Sequence, residues 1–205
     1  MQTLADMTKA EQALALVKQM GVARPRDLAP HGVAAVYLRR LVKTGALVQS
    51  ARGLYKLAEH KETRHHRLAE ACKLVPNGVV CLLSALFFHD LGKQPPMVWL
   101  AIDRKARKPT LDGPPIRFVR FSGAALREGV EEHKVEGVPV RVTTCSKTIA
   151  DCFKYRRKIG PDVALEALRQ CVRKHRCPKA ELLRCAKVCK VTTIIRPYLE
   201  ALMTK

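Results

Sequence analysis

The sequence predicts an α+β protein, with a small helical module closed by a β-hairpin and then a mixed α/β part holding a small sheet and several helices. Three observations predict it. Helix start signals and helically spaced apolar residues crowd the region up to Thr44. Two short strand-like runs follow around a Gly-containing turn. Alternating and continuous apolar runs then occupy the middle of the chain, and helical spacing returns after Ser146.

Thr8-Lys9-Ala10-Glu11 has the spacing of a capping box, a hydroxyl at the N-cap and a carboxylate three residues on. Ala13, Leu14, Val17 and Met20 continue at helical spacing, and Gly21 stops the helix. Pro25 suits the first turn of a second short helix, Arg24 to Leu28. Pro30-His31-Gly32 makes a turn, and Val33 to Thr44 forms a third helix. Gly45 to Gln49 and Leu54 to Leu57 are strands joined at Ser50-Ala51-Arg52-Gly53. Helix, turn, helix and hairpin in this order is the layout of a winged helix, whose usual partner is double-stranded DNA. Glu59-His60-Lys61-Glu62 is charged and without periodicity, which places a domain boundary near residue 60 and divides the chain into 1–60 and 61–205.

In the second part Thr63 to Leu74 reads as an amphipathic helix and Pro76-Asn77-Gly78 as a turn. Val79 to His89 is a buried run compatible with helix or strand, with Ala85 to Phe88 favouring helix. Met97 to Ile102 is a buried strand, and Ile116 to Phe121 alternates apolar and basic residues as a half-exposed one does. Glu131 to Lys134 and Val138 to Val142 flank a turn at Glu136-Gly137. Four helices follow: Lys147 to Lys158, Pro161 to about Lys174, one starting at Pro178, and Thr193 to Met203.

A hydrophobic content of 47% excludes a disordered chain. The balance of 38 Lys and Arg against 18 Asp and Glu gives +20, a surplus that calls for a polyanionic partner. Residues 1–60 hold 9 of these cations and 4 of the anions, so the surplus is +5 there and +15 beyond. Met1 to Thr8 has no apolar core flanked by basic residues, and Val79 to Phe88 is too short to span a bilayer. A cytoplasmic protein without membrane contact is expected, its eight cysteines free thiols.

On a helical wheel the third helix puts Ala34, Ala35, Leu38, Leu41 and Val42 on one face. Val36, Arg40 and Lys43 fall opposite, with Tyr37 and Arg39 on the flanks. A recognition helix needs this division, an apolar side to anchor it and a basic side that can fork to guanine in the major groove. Arg52 and Ser50 at the wing tip are placed for the minor groove, and Arg24 and Arg26 for the phosphate backbone. Arg104, Lys105, Arg107 and Lys108 form a second basic run, either a solvated loop or a set of further phosphate contacts. Lys154, Arg156, Arg157 and Lys158 crowd a helix C-terminus, where the dipole favours cations.

Cys171, His175, Cys177, Cys185 and Cys189 are close in sequence but lack a Cys-x-x-Cys pair, and their spacing is that of helical core positions. Ser84, His89 and Asp90 have the residue types of a catalytic triad, yet they are chain neighbours, and Asp103 and Asp151 lack metal-ligand spacing. No catalytic site, metal site or cofactor is expected.

The ordered set of motifs resembles the AbiEi family of bacterial antitoxins from abortive-infection operons. The carrying residues are Leu38-Arg39-Arg40-Leu41-Val42 with Arg52-Gly53-Leu54-Tyr55, then Val75 to Leu86, Gln94-Pro95-Pro96, and Val98-Trp99-Leu100-Ala101-Ile102. Lys147 to Arg156 and Asp162 to Leu168 complete the set. One departure is His89 to Gln94, where the family carries a Leu-Thr pair. The resemblance implies an amino-terminal domain that binds inverted repeats in its own promoter, as double-stranded operator DNA, and represses it; self-association on that DNA is a further expectation, with the oligomeric state left open. It also implies a carboxy-terminal domain that opposes a nucleotidyltransferase toxin, with no stable complex required, and it assigns no antitoxicity residue. A stand-alone regulator with a ligand-sensing or dimerising second domain is the competing expectation.

Overall fold

A computed structural model describes residues 7–109 and 112–203. The reading of Met1 to Thr8 falls, but for its last two residues, outside them. The chain forms two compact units. The first comprises the chain up to Pro76 together with Pro109–Pro114 and Lys134–Val140. The second comprises Asn77–Lys108, Pro115–His133 and Arg141–Lys205. No helix among the described residues is long and apolar enough to cross a membrane.

In the first unit, α1 (Lys9–Met20) starts at the expected capping box. Thr8 Oγ1 accepts from the Glu11 backbone N–H at 3.3 Å, and Glu11 Oε2 accepts from the Thr8 N–H at 2.8 Å. Two N–H groups that the first turn leaves without helical partners are thereby satisfied. Thr8→Ala is therefore expected to cost this unit about 1 kcal/mol in a urea-unfolding series; an unchanged midpoint would show that the cap is idle. After α1 come α2 (Pro25–Leu28), a 3₁₀ turn at Ala29–His31, and α3 (Ala35–Lys43). Gly32 sits at φ +70°, the left-handed geometry that glycine supplies without penalty.

Strands β1 (Leu47–Ala51) and β2 (Leu54–Leu57) pair antiparallel, with a register irregularity between Gln49 and Ala51. Ala23, between α1 and α2, adds a bridge to Tyr55 through two 2.9 Å hydrogen bonds and so ties the hairpin to the helices. Leu16, Val17, Leu28, Leu38, Leu41, Leu47 and Tyr55 form the core beneath. The helix predicted over Thr63 to Leu74 is α4 (His66–Leu74).

The second unit holds a five-stranded sheet of order β5-β4-β3-β7-β6, except for Lys134–Val140, the strand ends and turn of β6 and β7 that are counted with the first unit. These strands are β3 (Val79–Val80), β4 (Val98–Asp103), β5 (Ile116–Phe121), β6 (Val130–Val135) and β7 (Val138–Thr143). Pairing is parallel between β4 and β5 and between β3 and β7, and antiparallel between β3 and β4. The ambiguous run Val79 to His89 is both things in turn, two residues of strand and then α5 (Leu82–Phe88). A one-turn helix, α6 (Ala124–Arg127), was not foreseen. The helix expected over Lys147 to Lys158 is two, α7 (Cys145–Lys154) and α8 (Arg156–Ile159). They break at Tyr155, whose hydroxyl donates to the Arg120 carbonyl at 3.1 Å, while Arg156 Nη1 donates to the Phe153 carbonyl at 2.8 Å. Then follow α9 (Pro161–Arg173), α10 (Lys179–Cys189) and α11 (Thr192–Met203). Leu82, Trp99, Phe121, Ile149, Phe153, Leu168, Leu182 and Ile195 are among the core of this unit.

The expectation of eight free thiols is corrected at one pair. Cys171 and Cys177 are joined in a disulfide that closes the turn between α9 and α10. The chain bends back after Arg173, with His175 at positive φ, and this brings the two Cα atoms to 5.8 Å. The spacing that read as helical core positions holds for Cys171, which is fully buried, but spacing along the chain does not show the bend.

Candidate nucleic-acid interface

α3 divides as its wheel predicts, with one exception. Leu38 and Leu41 are buried, while Val36, Arg39, Arg40 and Lys43 are exposed and recur at the three- and four-residue intervals of one helical surface. The exception is Ala34, assigned to the apolar face but exposed, because it precedes the helix as its N-cap with extended φ and ψ. Tyr37 is half-buried at the flank, and the Arg40 guanidinium lies 5.8 Å from its ring centroid. That cation–π contact limits the rotamers of Arg40 on the solvent side of the helix.

The tip of the β1–β2 hairpin presents Arg52 to solvent beside Gly53, whose φ of +75° turns the chain between the two strands. Ser50 belongs to β1 at the irregularity rather than to a free loop, and its hydroxyl hydrogen-bonds the Glu70 carboxylate. Val48, 43% exposed, is the large apolar residue that β1 shows to solvent.

The two arginines at α2 differ. Arg26 is exposed. Arg24 is turned inward, its Nη2 donating to Asp27 Oδ1 at 3.1 Å and its backbone N–H to Asp27 Oδ2 at 2.8 Å. Lys73 joins the same carboxylate at 3.0 Å. Burial raises the Asp27 carboxyl, but Arg24 and Lys73 outweigh it and hold it below the ordinary carboxylate range. Arg24 thus braces the start of α2 through Asp27, three residues on at the N3 position.

Arg104, Lys105, Arg107 and Lys108 are all exposed, in the crossover between the parallel strands β4 and β5. The Lys105 N–H donates to Asp103 Oδ1 at 2.8 Å, and Lys108 lies 5.8 Å from the Phe118 ring centroid. Of the triad residue types, Ser84 Oγ accepts from the Trp99 N–H at 2.9 Å and His89 Nε2 bonds the Thr143 carbonyl at 2.7 Å. Burial lowers the pKa of His89. Each of the two is engaged by backbone rather than by the other.

A second constellation escaped the reading of Glu59 to Glu62 as a patternless charged stretch. Glu136, at the tip of the β6–β7 turn and within the first unit, has a side chain only 3% exposed. Its Oε2 lies 2.7 Å from His60 Nε2 and 2.6 Å from His66 Nδ1. Its Oε1 accepts from the Thr63 backbone N–H at 2.6 Å and hydroxyl at 2.8 Å. Burial pushes the Glu136 carboxyl upward, but the bonds from His66, His60 and Thr63 prevail and bring it to about 2. Glu70, 3.4 Å from His66 Nε2, is first among the groups that raise the pKa of His66. Partners 76 and 70 residues apart carry no local signal.

Residues 11–58 match the family described as "Transcriptional regulator, AbiEi antitoxin". The match spans α1, α2, α3 and the hairpin. Among solved structures the chain is similar to the RV2827C protein from Mycobacterium tuberculosis, with a TM-score of 0.59 and 14% identity over 95% of this chain and 81% of that one. At that identity the likeness establishes a shared α+β fold. No curated protein sequence matches the chain.

Proposed function

We propose that this chain, an AbiEi antitoxin regulator over residues 11–58, is the autorepressor and antitoxin of a toxin–antitoxin operon. Residues 1–60 act as the winged helix that binds promoter inverted repeats, and residues 61–205 oppose a nucleotidyltransferase toxin. The observation that carries the reading is α3, anchored by Leu38 and Leu41 and presenting Arg39, Arg40 and Lys43 to solvent beside a basic hairpin tip. This surface suits the major groove, with Arg40 forking to guanine O6 and N7. Val36, 40% exposed on the same surface, offers the apolar contact that a thymine methyl takes. Tyr37 and Arg26 reach phosphates, Arg24 holds α2 in place for Arg26, and Arg52 enters the minor groove with Ser50 fixing its strand. An inverted repeat takes two copies, which self-associate on the DNA. Arg104, Lys105, Arg107 and Lys108 add sequence-independent phosphate contacts.

Arg40→Ala is expected to weaken operator binding by about 1–3 kcal/mol and to relax preference at one base pair. Replacing Arg104, Lys105, Arg107 and Lys108 together by Ala should weaken all duplexes alike. It should also flatten the salt dependence by about 0.9 in log–log slope for each phosphate no longer neutralised. Fluorescence anisotropy with promoter and scrambled duplexes measures both, and equal affinity for the two duplexes at moderate ionic strength overturns the reading. Antitoxin action is tested by growth during toxin expression, where Arg40→Ala should lose repression and keep rescue.

A cleft of about 770 Å³ in the second unit, lined by Leu86, Leu91, Pro95, Val163 and Ala167 among others, favours a second reading. In it the chain is a stand-alone regulator whose second domain senses an apolar ligand. A downstream nucleotidyltransferase reading frame with growth rescue supports the antitoxin, and ligand-dependent operator affinity without rescue supports the sensor.

A further inference from the structure

We propose that His60, His66 and Glu136 form a binding site for a zinc-type divalent transition-metal ion. The three potential ligand atoms lie within 4.8 Å of one another. Two imidazole nitrogens converge on one carboxylate oxygen, Glu136 Oε2, at 2.7 and 2.6 Å. Ligands at about 2.0–2.2 Å from a zinc ion stand somewhat farther apart than that, so small outward shifts admit the ion in place of the bridging protons.

The surroundings are those of a ligand set rather than of a chance contact. Thr63 takes Glu136 Oε1 with two hydrogen bonds and leaves Oε2 as the donor. The other nitrogen of His66, Nε2, lies 3.4 Å from Glu70 Oε1, a buried oxygen without a hydrogen-bond partner on a side chain 10% exposed, and 3.4 Å from Lys56 Nζ. A carboxylate behind a ligating histidine sets its tautomer and raises its basicity. Local charge agrees with a cation. Glu62, Glu70 and Glu136 gather near His66 with Lys56 as their cationic neighbour, in a chain of net charge +20. Imidazole with carboxylate selects zinc and its first-row neighbours over magnesium or calcium, which prefer all-oxygen sites. A fourth position goes to water.

Glu136 itself stands at φ +50°, a conformation costly for a residue with a side chain. The cluster holds it there. His60 lies three residues beyond the end of β2, so an ion bound to it would brace the segment that leaves the wing. The inference does not rest on DNA binding, and failure of operator recognition would leave it standing.

Co²⁺ titration of the full-length reduced protein tests it, with isothermal calorimetry of Zn²⁺ alongside. Expected are one equivalent bound, visible d–d bands without thiolate charge-transfer bands, and at least a tenfold affinity loss in both His60→Ala and Glu136→Gln. Circular dichroism and the unfolding midpoint of His60→Ala, the more exposed ligand, show that the loss is not unfolding. Absence of saturable binding overturns the proposal and leaves a cluster held by protons alone. Binding unaffected by both variants, or accompanied by thiolate bands, also overturns it and points to the cysteines.

Discussion

Asp151→Ala is expected to destabilise the second unit by about 3–5 kcal/mol, the cost of leaving one partner of a buried ion pair uncompensated. Lys147 and Asp151, one turn apart on α7, are both fully buried. Lys147 Nζ donates to the two carboxylate oxygens at 2.7 and 2.6 Å, the Cys189 thiol donates to Oδ1 at 3.2 Å, and the ammonium stands 4.9 Å from the Phe121 ring centroid. Burial pushes the Asp151 carboxyl upward and Lys147 opposes it. Removing the carboxylate strands an ammonium among the apolar side chains of α7, α10 and β5. The paired replacement Lys147→Met with Asp151→Leu should recover most of the loss, because two desolvated charges give way to packing of similar volume. Urea unfolding of the two single variants and the double variant forms the cycle. Single-variant losses below about 1 kcal/mol, or a double variant no better than the singles, would mean that water reaches the pair.

Gly21→Ala is expected to cost the first unit on the order of 3 kcal/mol or more, through two additive effects. The Val22 N–H donates to the Met20 carbonyl at 2.8 Å across Gly21, whose φ is +66° and ψ −63°. This is a γ-turn of the strained, positive-φ kind. A Cβ there would overlap the Glu136 carbonyl oxygen, which is backbone and has little room to yield. The approach is reciprocal, since a Cβ on Gly137 would lie 2.7–2.8 Å from backbone atoms of Gln19 and Met20. Gly53 provides the control. Its φ is also positive, but a methyl group there would meet no atom within 4 Å, so Gly53→Ala carries backbone strain alone, about 1 kcal/mol. Equal losses for the two alanines would show that close packing at Gly21 contributes nothing.

Legibility followed the range of the interactions. Thr8 and Glu11 are three residues apart, and the helix start they predict is the one observed. The apolar and basic run of Ile116 to Phe121 appears as a half-exposed strand, with Arg117 and Arg120 exposed and Val119 and Phe121 buried. The continuous apolar run at Val79 left helix and strand open, because a two-residue strand and a buried helix are alike hydrophobic on every side; the helix favoured over Ala85 to Phe88 is the one observed. The basic side of α3 was readable because 3.6-residue periodicity is local; the Arg24–Asp27 pair that sets Arg24 apart from Arg26 is also local, three residues apart, but the contact of Lys73 with the same carboxylate is not.

Sequence alone therefore determined the α+β class, the helix-turn-helix and hairpin, the free basic face of α3 and the surplus of positive charge, all consequences of forces acting within one turn or one strand. Tertiary structure alone decided that Glu136 meets His60 and His66, that Gly21 must be glycine for Glu136 to pass, that Lys147 and Asp151 are buried together, and that Cys171 faces Cys177. Each of these depends on where a fold brings a side chain or a backbone segment, and spacing along the chain holds no record of that.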